Sequence, residues 1–592
     1  MSRRGRALVV LGCIALSWTA PAFAGASSGT VSGELKKWHA VTITFDGPAT
    51  AESAEPNPFT DYRLEVTFTN GDKSVAVPGY YAADGNAAET SASQGGKWRV
   101  HFTPDREGAW SYAASFRTGP GVAVSDDPNA GAPCGFDRAG GAFRVGPTDM
   151  KPPDFRAKGM LRYVGGHYLR FAETGEYFLK GGADSPENFL AYFEFDGTKP
   201  SHKYPPHAGD WRQGDPTWGG GKGKNIIGAL NYLAGTGMNS VYFITMTVEG
   251  DGKDVWPWTG PSEYTRFDCS KLDQWEVVFS HMDRLGLMLH LVHQEQENDQ
   301  LLDGGDLGMN RKLYYRELIA RFAHHLAVVW NLGEENTNTT QQRKDFFKYI
   351  HDLDPYHHPI VVHTFGGGQE KVYRPLLGYS YMDGVSLQAG PARAVEQTLQ
   401  WRKESDAAGR KWFICYDEQG RGAGPRPDDQ DPNHDVARKE CLWPLLLAGA
   451  AGVEWFFNND HAYDDLACEE WRSRQNMWDQ TRYALEFFQR YLPFHEMVPA
   501  DGLTPDAGDC VLAKEGQVYA IYLPRGGSPW LDLPAGAGEF SVKWYDPRRG
   551  GALQDGTVTS VRGAGRADLG APPREPERDW VVLVKAAGPN KK

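Results

Sequence analysis

Cysteine is scarce in this chain, seven in 592 residues, which excludes a disulfide framework as the source of its fold. Six of them follow the N-terminal segment, at Cys134, Cys269, Cys415, Cys441, Cys468 and Cys510, with no CxxC pair. That scatter leaves room for one or two structural bridges in an oxidising compartment and for no zinc ribbon. Positive charge is also short: 62 Lys+Arg against 76 Asp+Glu give a net charge of −14. A nucleic-acid binder needs a basic face to neutralise phosphates, so that class is excluded. Long apolar runs are missing too. After Ala7–Leu16 no stretch approaches the ~20 residues that span a bilayer, so no membrane span is expected. There is no G-x-S-x-G elbow and no phosphate-cradling P-loop. The run Gly219–Gly223 precedes a helical pattern instead of following a strand, and reads as a loop.

What is present in excess is aromatic: 19 Trp, 26 Tyr and 28 Phe. Flat apolar rings fill cores and also stack on sugar faces, so the composition tilts toward carbohydrate. At the N-terminus, Arg3, Arg4 and Arg6 precede the apolar run, and Ala22-Phe23-Ala24 forms an A-x-A cleavage site. This predicts a signal peptide over residues 1–24 and a secreted or periplasmic chain. Cleavage removes three Arg and takes the net charge from −14 to −17. Val10-Leu11-Gly12-Cys13 is loosely similar to a lipoprotein box, but apolar Ile14, Ala15 and Leu16 continue past the Cys, so it reads as mid-signal.

The remainder has three rhythms, as a length of 592 residues leads one to expect. From Glu34 to about Val145, short alternating strands (40–45, 62–68, 97–102 and 109–116) are separated by Asn-Gly, Asp-Gly and Gly-Gly turns, which predicts a β-sandwich over 30–147. Gly146–Gly159, with Pro147, Pro152 and Pro153, reads as a linker. From 160 to 498, eight apolar strands alternate with amphipathic helices. The strands are 177–181, 240–246, 287–292, 327–332, 360–363, 384–387, 412–416 and 452–456, and the helices include 311–325, 344–353, 392–404 and 436–447. That is the order and length of a (β/α)8 barrel. A doubly wound sheet is the alternative, but no glycine-rich phosphate loop follows its first strand. Strands at 510–514, 518–522, 540–545 and 580–585 predict a small closing sandwich over 503–588. The fold class is therefore α/β plus all-β, a central barrel flanked by two sandwiches.

A barrel carries its reactive groups at the C-terminal ends of its strands. The fourth strand ends in Trp330-Asn331-Leu332-Gly333-Glu334-Glu335-Asn336, and the seventh in Tyr416-Asp417-Glu418-Gln419-Gly420. Two carboxylates on separated strands of one barrel face are what glycoside hydrolysis requires: one protonates the leaving oxygen while the other attacks or activates water. Trp330–Asn336 resembles the W-S-L-G-N-E-S segment of family 2 glycoside hydrolases, members of the retaining clan A. The resemblance places Glu335 on the acid/base and Glu418, in an E-x-G setting, on the nucleophile. It departs from the clan in having Glu334 where Asn precedes the acid/base and binds the sugar 2-hydroxyl. It departs again in offering Gln388 on strand six where a Tyr often supports the nucleophile, and no Arg on strand two. The whole chain is similar to secreted clan A enzymes of apiosidase-like type, which join such a barrel to an N-terminal sandwich and to a C-terminal module named for collagen binding. We read that module as a structural cap.

The expected site is thus Glu335 and Glu418 as the catalytic pair, with Glu334, His293, Trp455, Asp184 and His363 contacting substrate; Trp455 would be the aromatic floor under the reacting sugar. The segment 184–225, rich in Trp, Tyr and His, would wall the site. Neither His324-His325 nor His357-His358 has zinc spacing, and Asp428-Asp429-Gln430-Asp431 lacks the EF-hand pattern, so neither metal nor cofactor is expected. The expected partner is a polysaccharide or oligosaccharide. The competing reading is a non-catalytic carbohydrate-binding or adhesion protein built on a hydrolase barrel, which requires outward-pointing carboxylates or an exposed aromatic patch in the C-terminal module.

Overall fold

A computed structural model of the chain describes residues 28–587, apart from 421, 460, 462, 505–507 and 564. The expected signal peptide over 1–24, with its Cys13, lies outside the described residues.

Two antiparallel sheets form the N-terminal layer. One orders Thr30–Ser32, Val41–Ala51, Gln94–Phe102 and Tyr80–Tyr81, and the other is built on Tyr62–Asn70 and Gly108–Thr118. Period-2 alternation turns Val41, Ile43 and Phe45 from one sheet toward Leu64, Val66 and Phe68 from the other. Phe68 stacks on Phe102 at 4.1 Å between ring centroids.

Eight parallel strands then close into a barrel: β1 (Lys180–Ala183), β2 (Ser240–Ile244), β3 (Met288–Val292), β4 (Val328–Asn331), β5 (Ile360–Thr364), β6 (Gly384–Ala389), β7 (Phe413–Gln419) and β8 (Gly452–Trp455). This is the expected (β/α)8 architecture. The first strand begins three residues later than the sequence suggests, because Tyr177 is engaged in an antiparallel bridge with Arg170 outside the barrel. Closure needs a very close approach of β8 to β1. At Gly452 (φ +144°) a Cβ would lie 2.3 Å from the Lys180 carbonyl oxygen, so only glycine fits.

The outer helices follow from local chemistry. The helix Thr340–Leu353 starts at a capping box, Thr339 with Gln342, and buries Arg343, Phe346, Phe347 and Ile350 at helical spacing. Each of those apolar side chains contributes about 1.5–3 kcal/mol through burial. Cys269–Leu285 is capped by Asp268 and ends at Gly286 in the left-handed region.

The C-terminal layer is a six-stranded sheet ordered Val498–Pro499, Cys510–Lys514, Val518–Leu523, Trp580–Ala586, Glu539–Tyr545 and Ser560–Arg562, with a separate two-stranded ribbon. Both flanking layers are fastened to the barrel by directed contacts. Thr103 donates to the His324 carbonyl at 2.6 Å, and Arg321 donates to the Tyr81 carbonyl at 3.0 Å. On the other side, buried Arg438 pairs with fully buried Asp579 at 2.8 Å, and the Tyr522 hydroxyl donates to the same carboxylate. The one or two disulfides admitted by the sequence are not formed: all six described cysteines are free thiols, four of them buried. No described helix is long and apolar enough to cross a membrane.

Breaking a buried ion pair from one side leaves an uncompensated charge. Asp579→Ala should therefore cost about 3–5 kcal/mol, read as a drop in urea midpoint, and should loosen the C-terminal sheet first in hydrogen exchange.

Candidate active site

Strand parity decides which side chains reach the barrel interior. On β1 it is Lys180, on β3 His290, on β7 Asp417 and on β8 Glu454, and these four meet in the middle of the barrel. The Lys180 ammonium lies 2.5 Å from Asp417 and 2.8 Å from Glu454, and His290 Nδ1 lies 2.7 Å from the same Glu454 oxygen. Burial alone would lower the lysine's pKa; Asp417 and Glu454 outweigh it and hold the ammonium charged. Glu454, which burial alone would raise, is pulled down to about 2 by Lys180 and His290.

Above this layer a β-bulge changes the parity of β7. Leu387 pairs with Tyr416, but Gln388 pairs with Glu418, so Asp417 is the extra residue. Consecutive carboxylates can then both serve the interior: Asp417 points down to Lys180, and Glu418 joins the mouth. On the other side, the turn after β4 carries Gly333 at φ +155° and Glu335 at φ +44°. A non-glycine residue held in the left-handed region stores about 1–3 kcal/mol of strain, and such residues concentrate at functional sites. The Glu334 N–H donates to the Gln294 carbonyl and the Asn336 N–H to the His363 carbonyl, which pins the turn.

The two carboxylates meet at Gln388, at the end of β6. Its Nε2 donates to Glu335 at 2.9 Å and to Glu418 at 2.5 Å. One nitrogen serving both oxygens caps their separation at about 5.4 Å, the two bonds laid end to end. Burial raises the Glu335 carboxyl above its ordinary pKa and the charge of Glu418 adds to this, while the Gln388 bond opposes it. Both open onto a cavity of about 480 Å³, lined also by Glu187, Asp251, Glu295, Glu297, Glu334, Phe365, Phe456 and Asn458.

The substrate-contact expectations fare differently. Glu334 lines the cavity, accepts from the Tyr242 hydroxyl at 3.1 Å and shares a hydrogen bond with Glu187. Burial, Glu418 and Glu295 hold its carboxyl well above the ordinary range. His363 is wholly buried beneath the mouth, with Nε2 3.4 Å from Glu418 and Nδ1 3.1 Å from Tyr242. It supports Glu418 and has no surface for a sugar. Asp184 is also fully buried, below the cavity, and burial together with Glu334 and Asp465 raises its pKa strongly. His293 must be corrected: β3 turns His290 and Val292 inward, so His293 faces the helix shell, stacked on Trp330 at 5.6 Å, where burial pushes its pKa down to about 3. Trp455 must be corrected for the same reason. Glu454 points inward, so the next ring points outward, fully buried, with its N–H donating to Thr481. The half-buried aromatic at the cavity is its neighbour Phe456.

The segment 184–225 mostly packs on itself, Phe195 on Trp218 at 5.2 Å and Tyr192 on Tyr204 at 5.9 Å, and gives the cavity only Glu187 among the described residues. Sequence reasoning passed over Glu187, Tyr242, Glu295, Glu297 and Phe456. The strand-end rule would have found Glu295 and Glu297, which follow β3 directly. Away from the mouth, Glu276, His324 and His325 offer three donor atoms within 4.8 Å of one another. His325 is there a charged imidazolium between Glu276 and Asp283, which overcome burial and raise its pKa to about 10.

Comparison with known proteins adds the following. Residues 34–117 match the family described as "Domain of unknown function (DUF5060)", and residues 498–585 the family described as "Putative collagen-binding domain of a collagenase". No curated protein matches the chain in sequence. Among solved structures, one titled a "putative glycoside hydrolase" from Bacteroides vulgatus is similar at a TM-score of 0.63 and 14% identity, covering 93% of this chain and 99% of that one. A glycoside hydrolase family 5 structure from the same organism is similar at a TM-score of 0.51 and 13% identity, over 75% of this chain and 96% of that one. A third, titled "Glycoside hydrolase", aligns at 0.52 and 12% identity, over 73% and 98%. The fold is thus one that glycoside hydrolases use.

The central ion cluster should be indispensable. Lys180→Met strands Asp417 and Glu454 without their cation and should cost about 3–5 kcal/mol, measured as a fall in urea midpoint.

Proposed function

We propose that the chain is a retaining glycoside hydrolase, with Glu418 as nucleophile and Glu335 as acid/base. The observation that carries this reading is the shared contact of both carboxylates with Gln388 Nε2. A ceiling of about 5.4 Å between those two oxygens is compatible with the ~5–5.5 Å of retaining sites and falls short of the ~6.5–9.5 Å across which inverting sites hold a water. In the first step a Glu418 oxygen bonds to the anomeric carbon while the glycosidic C–O bond breaks, and Glu335 gives its proton to the leaving oxygen. In the second, Glu335 takes a proton from water, whose oxygen displaces Glu418 and frees the sugar.

The electrostatics suit those roles. An acid must hold its proton at the working pH, and burial beside Glu418 provides for that at Glu335. The Gln388 amide and the His363 ring flank Glu418 and hold its orientation. The same proposal includes secretion through the 1–24 signal and the division into 30–147, 160–498 and 503–588, with the outer two as supports. The adhesion reading required an exposed aromatic patch at the C-terminal end. There Trp544, Trp580, Tyr519, Tyr522 and Tyr545 are buried, and Trp530 is the exposed aromatic among the described residues.

The test is hydrolysis of a panel of polysaccharides and aryl glycosides, read as reducing ends or released phenol. Glu418→Gln should lose about 10³-fold or more, some 4 kcal/mol of barrier lowering; activity surviving that change would remove Glu418 from the nucleophile's place. The descending limb of the kcat/KM–pH profile should lie above the ~4.3 of an ordinary Glu, because activity is lost as Glu335 deprotonates through its raised pKa. With an activated aryl leaving group, Glu335→Gln should abolish that limb while the first step survives, seen as a burst of phenol.

A further inference from the structure

The cavity's chemistry is one-sided. Glu187, Asp251, Glu295, Glu297, Glu334, Glu335 and Glu418 line it, and no Lys, Arg or His does among the described residues. Surface acidity would need no explanation, but Glu187, Glu295, Glu334 and Glu418 are each at least 93% buried. Carboxylates taken out of water are expensive unless they are paired, neutralised or fully hydrogen-bonded. Here the pairing is incomplete: Glu295 Oε2 has no hydrogen-bond partner although it is shut away from solvent. Lys180 is already committed to Asp417 and Glu454 one layer below. Among the described residues, then, the mouth holds no cation for its carboxylates.

Geometry says where on a sugar that cation would sit. Carboxylate oxygens of Glu187, Glu334 and Glu418 all lie within 4.8 Å of one another. If Glu418 attacks the anomeric carbon from about 3–3.5 Å, the ring positions that reach a group held by Glu334 and Glu187 over the shortest path are the two neighbours of that carbon, and we take the group to sit on one of them. One such neighbour is the ring oxygen, which carries no hydrogen to donate. The other is C2, so the group is the C2 substituent. A hydroxyl there offers one donor and no charge to a pair of carboxyls that already share a hydrogen bond and accept another from the Tyr242 hydroxyl. An ammonium offers three donors and the missing charge.

We propose that the glycone is a 2-amino-2-deoxy sugar with a free ammonium at C2, bound by Glu334 and Glu187. This rests on the retaining-hydrolase reading above for the position of C1. Burial and mutual repulsion keep the Glu187, Glu334 and Glu295 carboxyls above the ordinary range, the last at about 9. An arriving ammonium would let them ionise, so binding should release protons.

The probes are methyl 2-amino-2-deoxy-β-D-glucoside and -galactoside, with their N-acetyl and 2-hydroxy counterparts, titrated calorimetrically into the full chain at about pH 6, where an amine of pKa ~8 is charged. In at least one configuration the amine should bind about tenfold or more tighter than its 2-hydroxy and N-acetyl partners, and should release protons when two buffers of different ionisation enthalpy are compared. Glu334→Gln should erase that ratio, and Glu295→Gln should reduce the proton release. Equal binding, a preference for hydroxyl or N-acetyl, or no binding of the amines would overturn the proposal. The matched aryl glycosides separate it from the parent reading. Selective binding of amines without cleavage would sink hydrolysis alone, whereas cleavage of 2-hydroxy glycosides with amines refused would sink the amine alone.

Discussion

One ammonium inside the barrel organises the site. Lys180 leaves β1 and meets Asp417 of β7 and Glu454 of β8, the three strands on either side of the seam where the barrel closes. Such a buried pair is neutral or worse as a source of stability compared with apolar packing. Its value is positional. It requires Asp417 to point down into the barrel, and with Asp417 serving as the bulge residue, Glu418 is free to join the mouth. His290 and Asn331 extend the same network across to β3 and β4, up to the base of the Glu334–Glu335 turn.

Above that layer the balance of charge reverses. The lower interior is compensated, with Glu454 pulled down to about 2 by its cations, while the upper interior holds carboxyls raised by burial and by one another. The ionised Glu454 carboxylate thus lies one layer below carboxyls that burial poises to carry protons. The contrast arises because, among the described residues, no Lys or Arg lines the cavity above Lys180: Glu187 and Glu334 share a hydrogen bond, Gln388 bridges Glu335 and Glu418, and Glu295 keeps one oxygen without a partner.

The outer layers join the barrel through one continuous apolar core and through a few directed contacts to backbone carbonyls and buried ions. Thr103, Arg316 and Arg321 tie the helix Met309–Phe322 and the residues just after it to strands of the N-terminal sheets. Arg438 and Tyr522 converge on Asp579 at the other end. The Trp443 ring lies against Tyr522 at 5.6 Å, carrying the barrel's helical shell directly into the C-terminal sheet.

The amino-acid sequence alone determined the architecture: apolar strands and amphipathic helices alternate too regularly between 160 and 498 for another closed solution, and two-residue alternation marks the sheets on either side. It also brought out the acidic ends of β4 and β7, because a carboxylate that follows an apolar strand is visible as a pattern. Tertiary structure decided which neighbours face inward. Trp455 and His293 sit one step out of parity with Glu454 and His290, and a strand's parity is set by its barrel register, which no local window contains. The bulge at Asp417, the bridge made by Gln388 and the gathering of Glu187, Glu295 and Glu334 around one cavity depend on residues far apart in the chain. Their proximity, and the burial and mutual repulsion that raise their pKa values, exist only once the barrel has closed.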